Sequence, residues 1–183
     1  MRLINTRGQF GSLAKLLHWS IFILVTIQYT VVYYREYLPE QAPEKLQYIL
    51  LHKSFGLVVF IFAFLMLLNR QLGQRPPYPE NAPWYENLLA KIVHFLLYAC
   101  LLLMPITGVL MTVLGGRPLA IFGYPLATPG FIHPNKPLGE LFYHAHVYAS
   151  YVLLFLLGVH LIGVLYHHFI LKDKVLTRMW PER

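Results

Sequence analysis

The sequence predicts an all-α fold, a transmembrane four-helix bundle with both termini in the cytoplasm. Three observations predict it. Apolar residues make up 57% of the 183 residues and charged residues only 13%, against about 25% charged in soluble domains. Four apolar runs are each long enough to cross a hydrocarbon core of about 30 Å, which takes roughly 20 helical residues. Lysine and arginine are divided unequally between the two sets of connecting segments. The whole chain, 1–183, reads as one membrane domain.

The spans run from about Leu16 to Tyr34, Tyr48 to Leu68, Ile92 to Leu114 and Val147 to Leu171. Between them lie segments rich in proline and glycine: Pro39–Pro43, Gln71–Pro83 and Gly115–Pro137. In the last, Leu119–Phe122 is expected to lie on the membrane surface as a cap. Ser12 is the expected N-cap of the first helix, and Pro43, Pro83 and Pro137 suit first-turn positions. Helices two and four then project beyond the bilayer on one side. Pro105 inside the third span, followed by Gly108, predicts a kink, tolerable in a membrane where neighbours satisfy the freed carbonyl.

Ten cations fall on one side: Arg2, Arg7, Lys15, Arg70, Arg75, Lys91, Lys172, Lys174, Arg178 and Arg183. Five fall on the other: Arg35, Lys45, Lys53, Arg117 and Lys136. The positive-inside rule makes the first side cytoplasmic. The net charge of +7 thus speaks of lipid-facing loops, and no nucleic-acid partner is expected. The basic start followed by an apolar run has the charge of a signal peptide, but bulky residues follow Tyr29, so a retained span is expected. The single cysteine, Cys100, excludes an intrachain disulfide framework and a cysteine-cluster metal site.

Nine histidines outnumber the eight aspartates and glutamates. Histidine within a span is costly to leave unpaired and marks a functional site by default, although a lone one is commonly a hydrogen-bonded packing residue. His146 and His160 are 14 residues apart. On a helix that separation falls about 40° short of four full turns, so both point one way, about 21 Å apart along the axis. His144 lies about 160° from His160 and cannot share that face. His52 follows Pro43 by nine residues, as His146 follows Pro137, so these two match in depth on the outer side. His18 and His160 match on the inner side.

Two neutral imidazoles on facing helices leave four coordination positions in a plane. Haem supplies those four nitrogens, and paired histidines on bundle helices suit an electron carrier. No C-x-x-C-H occurs, so two non-covalent haems b are expected, with axial ligands His52 and His146 outside and His18 and His160 inside. Gly56, one turn beyond His52, and Gly163, near His160, leave room for a flat macrocycle. His94 rivals His18 as the inner ligand, or contacts a propionate or a quinone. His133 is expected in solvent. His167 and His168 suit a helix C-terminus, with a proton-relay role as the other reading. A histidine-lined metal transporter would need acidic ligands that the spans lack.

On these residues the chain resembles the bacterial cytochrome b561 family of four-helix, di-haem proteins of the inner membrane. The shared features are Leu17-His18-Trp19, His52 with Gly56, Val93-His94 followed by Pro105 and Gly108, and Phe122-Gly123. The most specific stretch runs from His160 through His167-His168, Lys172-Asp173, Leu176 and Arg178-Met179 to Pro181. The family's four haem-ligand positions match His18, His52, His146 and His160. Members often carry two basic residues near the inner end of helix two. Arg70 matches the later one, whereas Met66 stands at the earlier.

The resemblance implies one-electron oxidation of superoxide at the outer face and delivery of electrons through two haems to ubiquinone. Arg35, Lys53 and Arg117 are then candidates for steering superoxide or for holding propionates, with Glu36, Glu40, Glu44 and Glu140 on the same side opposing a simple positive funnel. The other reading is an electron-transfer subunit, like the related b-type cytochromes of membrane hydrogenases and formate dehydrogenases, that docks a dehydrogenase partner and passes its electrons to quinone.

Overall fold

The computed structural model describes residues 3–6, 8–74, 76–77, 82–127 and 130–180. Arg2, Arg7, Arg75, Arg183 and Pro181, all used in the sequence reading, lie outside them. Four long helices dominate: α1 (Ser12–Tyr37), α2 (Glu44–Leu72), α3 (Trp84–Leu114) and α4 (Lys136–Leu165). Each is long and apolar enough to cross a membrane. A single turn of π-helix, Tyr166–Leu171, continues α4, and a short 3-10 turn follows at Thr177–Met179.

Every helix is longer than its apolar run, because polar end turns continue the helical hydrogen bonding outside the hydrocarbon. The first turn of α1 corrects the expected cap. Gly11, not Ser12, is the N-cap, and no side chain caps the helix from that position. The N-terminal segment folds back instead. Asn5 Oδ1 accepts from the Gly11 N–H at 2.9 Å, and the Leu3 carbonyl accepts from Leu13. A Cβ at residue 11 would lie 2.3 Å from the Leu3 oxygen, so glycine alone fits this return. Pro43 and Pro83 are the N-caps of α2 and α3. In α4 the cap is Asn135, whose side chain accepts from the Leu138 N–H, with Pro137 in the first turn.

The helix α3 continues through Pro105 as one element. Helix α1 packs along α2, α3 along α4, and α2 against α3. Two clusters fill the middle: Ile21, Val25, Val59 and Ala63 in one, and Val93, Leu97, Leu153 and Leu156 in the other. Tyr29 and Leu157 touch both, and the Tyr29 hydroxyl donates to the Ser150 carbonyl at 2.6 Å, which ties α1 to α4.

Leu119–Phe122 lies in a two-stranded antiparallel hairpin, β1 (Leu119–Ile121) and β2 (Tyr124–Leu126), turning at Phe122-Gly123. Both turn residues have positive φ, 47° and 87°. The hairpin sits on α2. The Phe122 N–H donates to Ser54 Oγ at 2.8 Å, and the Phe55 and Phe122 rings meet edge to face. At the opposite end the C-terminal tail meets the start of α1, with Trp19 Nε1 donating to the Met179 carbonyl at 2.9 Å.

Candidate haem-binding site

The fold brings the four sequence-selected histidines together in the expected pairs. The rings of His52 on α2 and His146 on α4 lie 6.0 Å apart, centre to centre. Those of His18 on α1 and His160 on α4 lie 6.2 Å apart. All four are half-buried. Both pairs therefore join α4 to the α1–α2 half of the bundle, whereas α4 itself packs along α3.

The hydrogen bonds set the tautomer of His146. A carbonyl can only accept, so the short contact from Nδ1 to the Met104 oxygen, 2.9 Å, means that Nδ1 carries the proton. Thr107 Oγ1 donates to the same carbonyl and lies 3.0 Å from Nδ1, so it shares the imidazole proton. This leaves Nε2 of His146 as the basic nitrogen, the arrangement that orients a metal-binding imidazole. Sequence reasoning missed both partners. They come from α3, and no local pattern reports a contact between helices. Gly108, on the same stretch of α3, is needed for close approach: a Cβ there would lie 3.3 Å from Cε1 of His146.

His52 differs. Its Nδ1 is buried with no hydrogen-bond partner, while its carbonyl accepts from Gln28 Nε2 at 2.9 Å. Gly56 faces that same amide, which a Cβ would approach to 3.4 Å. Around this pair stand the expected outer cations. Arg35 and Lys53 act electrostatically on His52, and Arg117 acts on Lys53. Arg35 binds its neighbour Glu36, yet its Nε is buried without a partner.

Around the inner pair the structure adds a third imidazole. His94 on α3 lies 5.2 Å from His160, closer than His18 does. Its Nδ1–H donates to the Ala90 carbonyl of its own helix at 2.6 Å, which again leaves Nε2 basic. Arg70 acts on His94 and stacks over the Tyr98 ring at 5.2 Å. Met66 packs against the apolar cluster of Ile21, Val25, Val59 and Ala63. A Cβ at Gly163 would meet no atom within 4 Å.

The remaining histidines stand apart. His144 and His133 are exposed, the former 4.0 Å from Glu140. His167 pairs with Asp173 at 2.6 Å, and the other oxygen of Asp173 caps the Val175 N–H.

The residues fit a bis-imidazole haem. Two imidazoles sharing one metal, each bonded at about 2.0–2.1 Å on the zinc–imidazole scale, have ring centres about 6 Å apart. Both pairs have that spacing. Among the described residues no group of three or more histidine, cysteine or acidic side chains could hold a bare metal ion, so the donor set suits a metal that brings its own equatorial ligands. The unpartnered Nδ1 of buried His52 marks a ring whose polar atoms the protein alone does not satisfy.

Paired imidazoles in a membrane four-helix bundle define a class, the b-type membrane cytochromes, and the comparisons agree. A family model described as prokaryotic cytochrome b561 matches residues 9–182, so this chain belongs to the prokaryotic cytochrome b561 family. It is a multi-pass membrane electron-transfer protein of a haem b-binding family. It is similar to cytochrome b561 homolog 1 of Escherichia coli (strain K12), 26% identical over 176 residues, covering 96% of this chain and 99% of the relative. It is 26% identical to the probable superoxide oxidase CybB of Yersinia pestis over 168 residues, 91% of this chain and 93% of the relative. Cytochrome b561 homolog 2 of E. coli (strain K12) is 28% identical over 187 residues, covering 98% of this chain and 95% of the relative.

Proposed function

We propose that this chain oxidises superoxide to dioxygen at the end bearing the hairpin and reduces ubiquinone to ubiquinol. Two superoxide anions, one ubiquinone and two protons then give two dioxygen molecules and one ubiquinol. Two haems b would be held, one by His52 and His146, the other by His18 and His160. When bound, each supplies a one-electron carrier whose potential follows from its axial ligands, burial and hydrogen bonding. The protein sits in the bacterial inner membrane with both termini cytoplasmic, a reading supported by the ten-to-five division of lysine and arginine.

The observation that carries the superoxide assignment is the grouping of Arg35, Lys53 and Arg117 at the outer pair, against the one arginine, Arg70, that acts on His94 at the inner pair among the described residues. Arg35 and Lys53 act on His52, and Arg117 acts on Lys53. Such a cluster raises the local concentration of a small anion. Arg35 keeps one buried N–H, its Nε, without a hydrogen-bond partner among the described residues. The relative named as a probable superoxide oxidase supports the same reading. Met104 and Thr107 fix the orientation of His146, and Gln28 holds the backbone of α2 at His52. The proton-bearing Nδ1 atoms of His146 and His94 leave their Nε2 atoms basic at either end.

The test uses the purified, haem-loaded protein alone, with a superoxide source and a ubiquinone analogue. Ubiquinol should form faster than the spontaneous rate, and the acceleration should fall with ionic strength. A rate equal to the spontaneous one sinks the superoxide reading and turns attention to a dehydrogenase as electron donor.

A further inference from the structure

At the end opposite the hairpin the structure forms a second site, whose lining includes none of the paired histidines. The N-terminal segment, the start of α1 and the tail after the π-turn border a half-open cavity of about 370 Å³, lined by Gly8, Gln9, Lys15, Lys174, Thr177 and Arg178. Three of the six are cations, and none is acidic. Asp173, the one acid of the tail among the described residues, is already engaged by His167 and by the Val175 N–H. Lys15 is buried, with 7% of its surface exposed. Arg178 donates from Nη1 to the Pro77 carbonyl at 2.8 Å, which holds its planar fork at the cavity while other N–H groups remain on it.

The depth of the cavity is informative. Lys15 lies one turn of α1 beyond Trp19, towards the chain terminus. Trp19 and Trp180 meet edge to face at 5.6 Å, and Trp180 is exposed. Tryptophans gather at the headgroup level of a bilayer, so the cavity lies at or just beyond the lipid phosphates. Its volume equals that of about twelve waters at about 30 Å³ each, room for a phosphodiester with some hydration. Basic pockets between spans at this level suit acidic headgroups.

We propose that this cavity binds the phosphate of an acidic phospholipid, with Lys15, Lys174 and Arg178 as its charged contacts. The bound phosphate bridges three pieces of chain remote in sequence and fastens the tail over the start of α1. Inorganic phosphate offers the same chemistry from a soluble source. The proposal does not depend on which histidines bind haem.

The haem-loaded protein in a zwitterionic detergent is titrated with short-chain phosphatidylglycerol, phosphatidylcholine or inorganic phosphate, while its thermal midpoint and its lipid adducts in native mass spectrometry are followed. Phosphatidylglycerol should raise the midpoint saturably, by mass action on the folded state, and phosphatidylcholine should not. Each of Lys174→Gln and Arg178→Gln should weaken the response by about fivefold, the equivalent of about 1 kcal/mol per cation near a surface. Lys174 is exposed, so its replacement keeps the fold. An equal shift with inorganic phosphate supports the site with a soluble source. Equal responses to the two lipids overturn the proposal, as does an unchanged phosphatidylglycerol response in both variants. Loss of haem from the variants with that response intact would also overturn it, showing that the cations serve the cofactor.

Discussion

The two imidazole pairs are alike in spacing and unlike in support. The outer pair is held from outside itself: His146 is fixed by a carbonyl and a hydroxyl of α3, while Arg35 and Lys53 act on His52 and Arg117 acts on Lys53. Among the described residues no such hydrogen-bond clamp holds the His18 or His160 ring. The inner pair has a third imidazole, His94, fixed to its own helix and nearer to His160 than the expected partner is. Equal spacing can therefore serve unequal tasks. At the outer end one ring is fixed in one orientation and cations lie close by, and the inner end brings three imidazoles together.

The comparison breaks most sharply under ligand removal. His146→Ala should reduce the haem content from two per chain to one, read by pyridine haemochrome, with the inner low-spin signal retained. Two low-spin haems in that variant would mean that another residue binds the outer iron. His160→Ala should do the reverse.

Next in size is the contest at the inner pair. His18→Ala should lose the inner haem, while His94→Gln should keep both haems and alter only the inner spectrum. The opposite outcome makes His94 the ligand and His18 its neighbour.

Gly108→Val probes the outer clamp without touching a ligand. Any Cβ there lies 3.3 Å from the His146 ring, and overpacking of this kind costs about 1–3 kcal/mol. The expected result is a lower melting temperature and a changed outer haem spectrum. At Gly56 the nearest atom is the end of a flexible glutamine at 3.4 Å, so Gly56→Ala should disturb the protein much less. The smallest expected effect is that of Thr107→Val, which removes one hydroxyl from the His146 proton and from the Met104 carbonyl. A loss of about 1 kcal/mol is expected, with a shift in the outer midpoint potential alone in a redox titration. An equal shift at both haems would deny the clamp its local role.

Much of this was legible in sequence because membrane spans are written in long apolar runs and helix faces in fixed angles. The 14-residue step from His146 to His160 selected one face of one helix, and the prolines at the starts of α2 and α4 gave depth. The helix ends were less legible. Helix α3 begins at Trp84, eight residues before its apolar run, because Trp84–Lys91 carries charged and aromatic residues that hydropathy reads as loop although the hydrogen bonding continues. The N-cap of α1 was misread since its orphan N–H groups are met by Asn5 and Leu3, a return of the chain that composition does not encode. The clamp from Met104, the nearness of His94 to His160 and the Ser54 contact with the hairpin are contacts between elements, invisible to any periodicity. The His167–Asp173 pair depends on the π-turn, which widens the end of α4 where sequence reading continues an ordinary helix.

Each imidazole pair takes one member from α4 and the other from a helix made much earlier. During synthesis, His18 and His52 enter the membrane while their counterparts are still on the ribosome or not yet translated. Neither pair exists until the final span is inserted, and both then become complete in a single event. A chain stopped before α4 carries His18, His52 and His94 without the imidazoles, His146 and His160, that complete the two pairs.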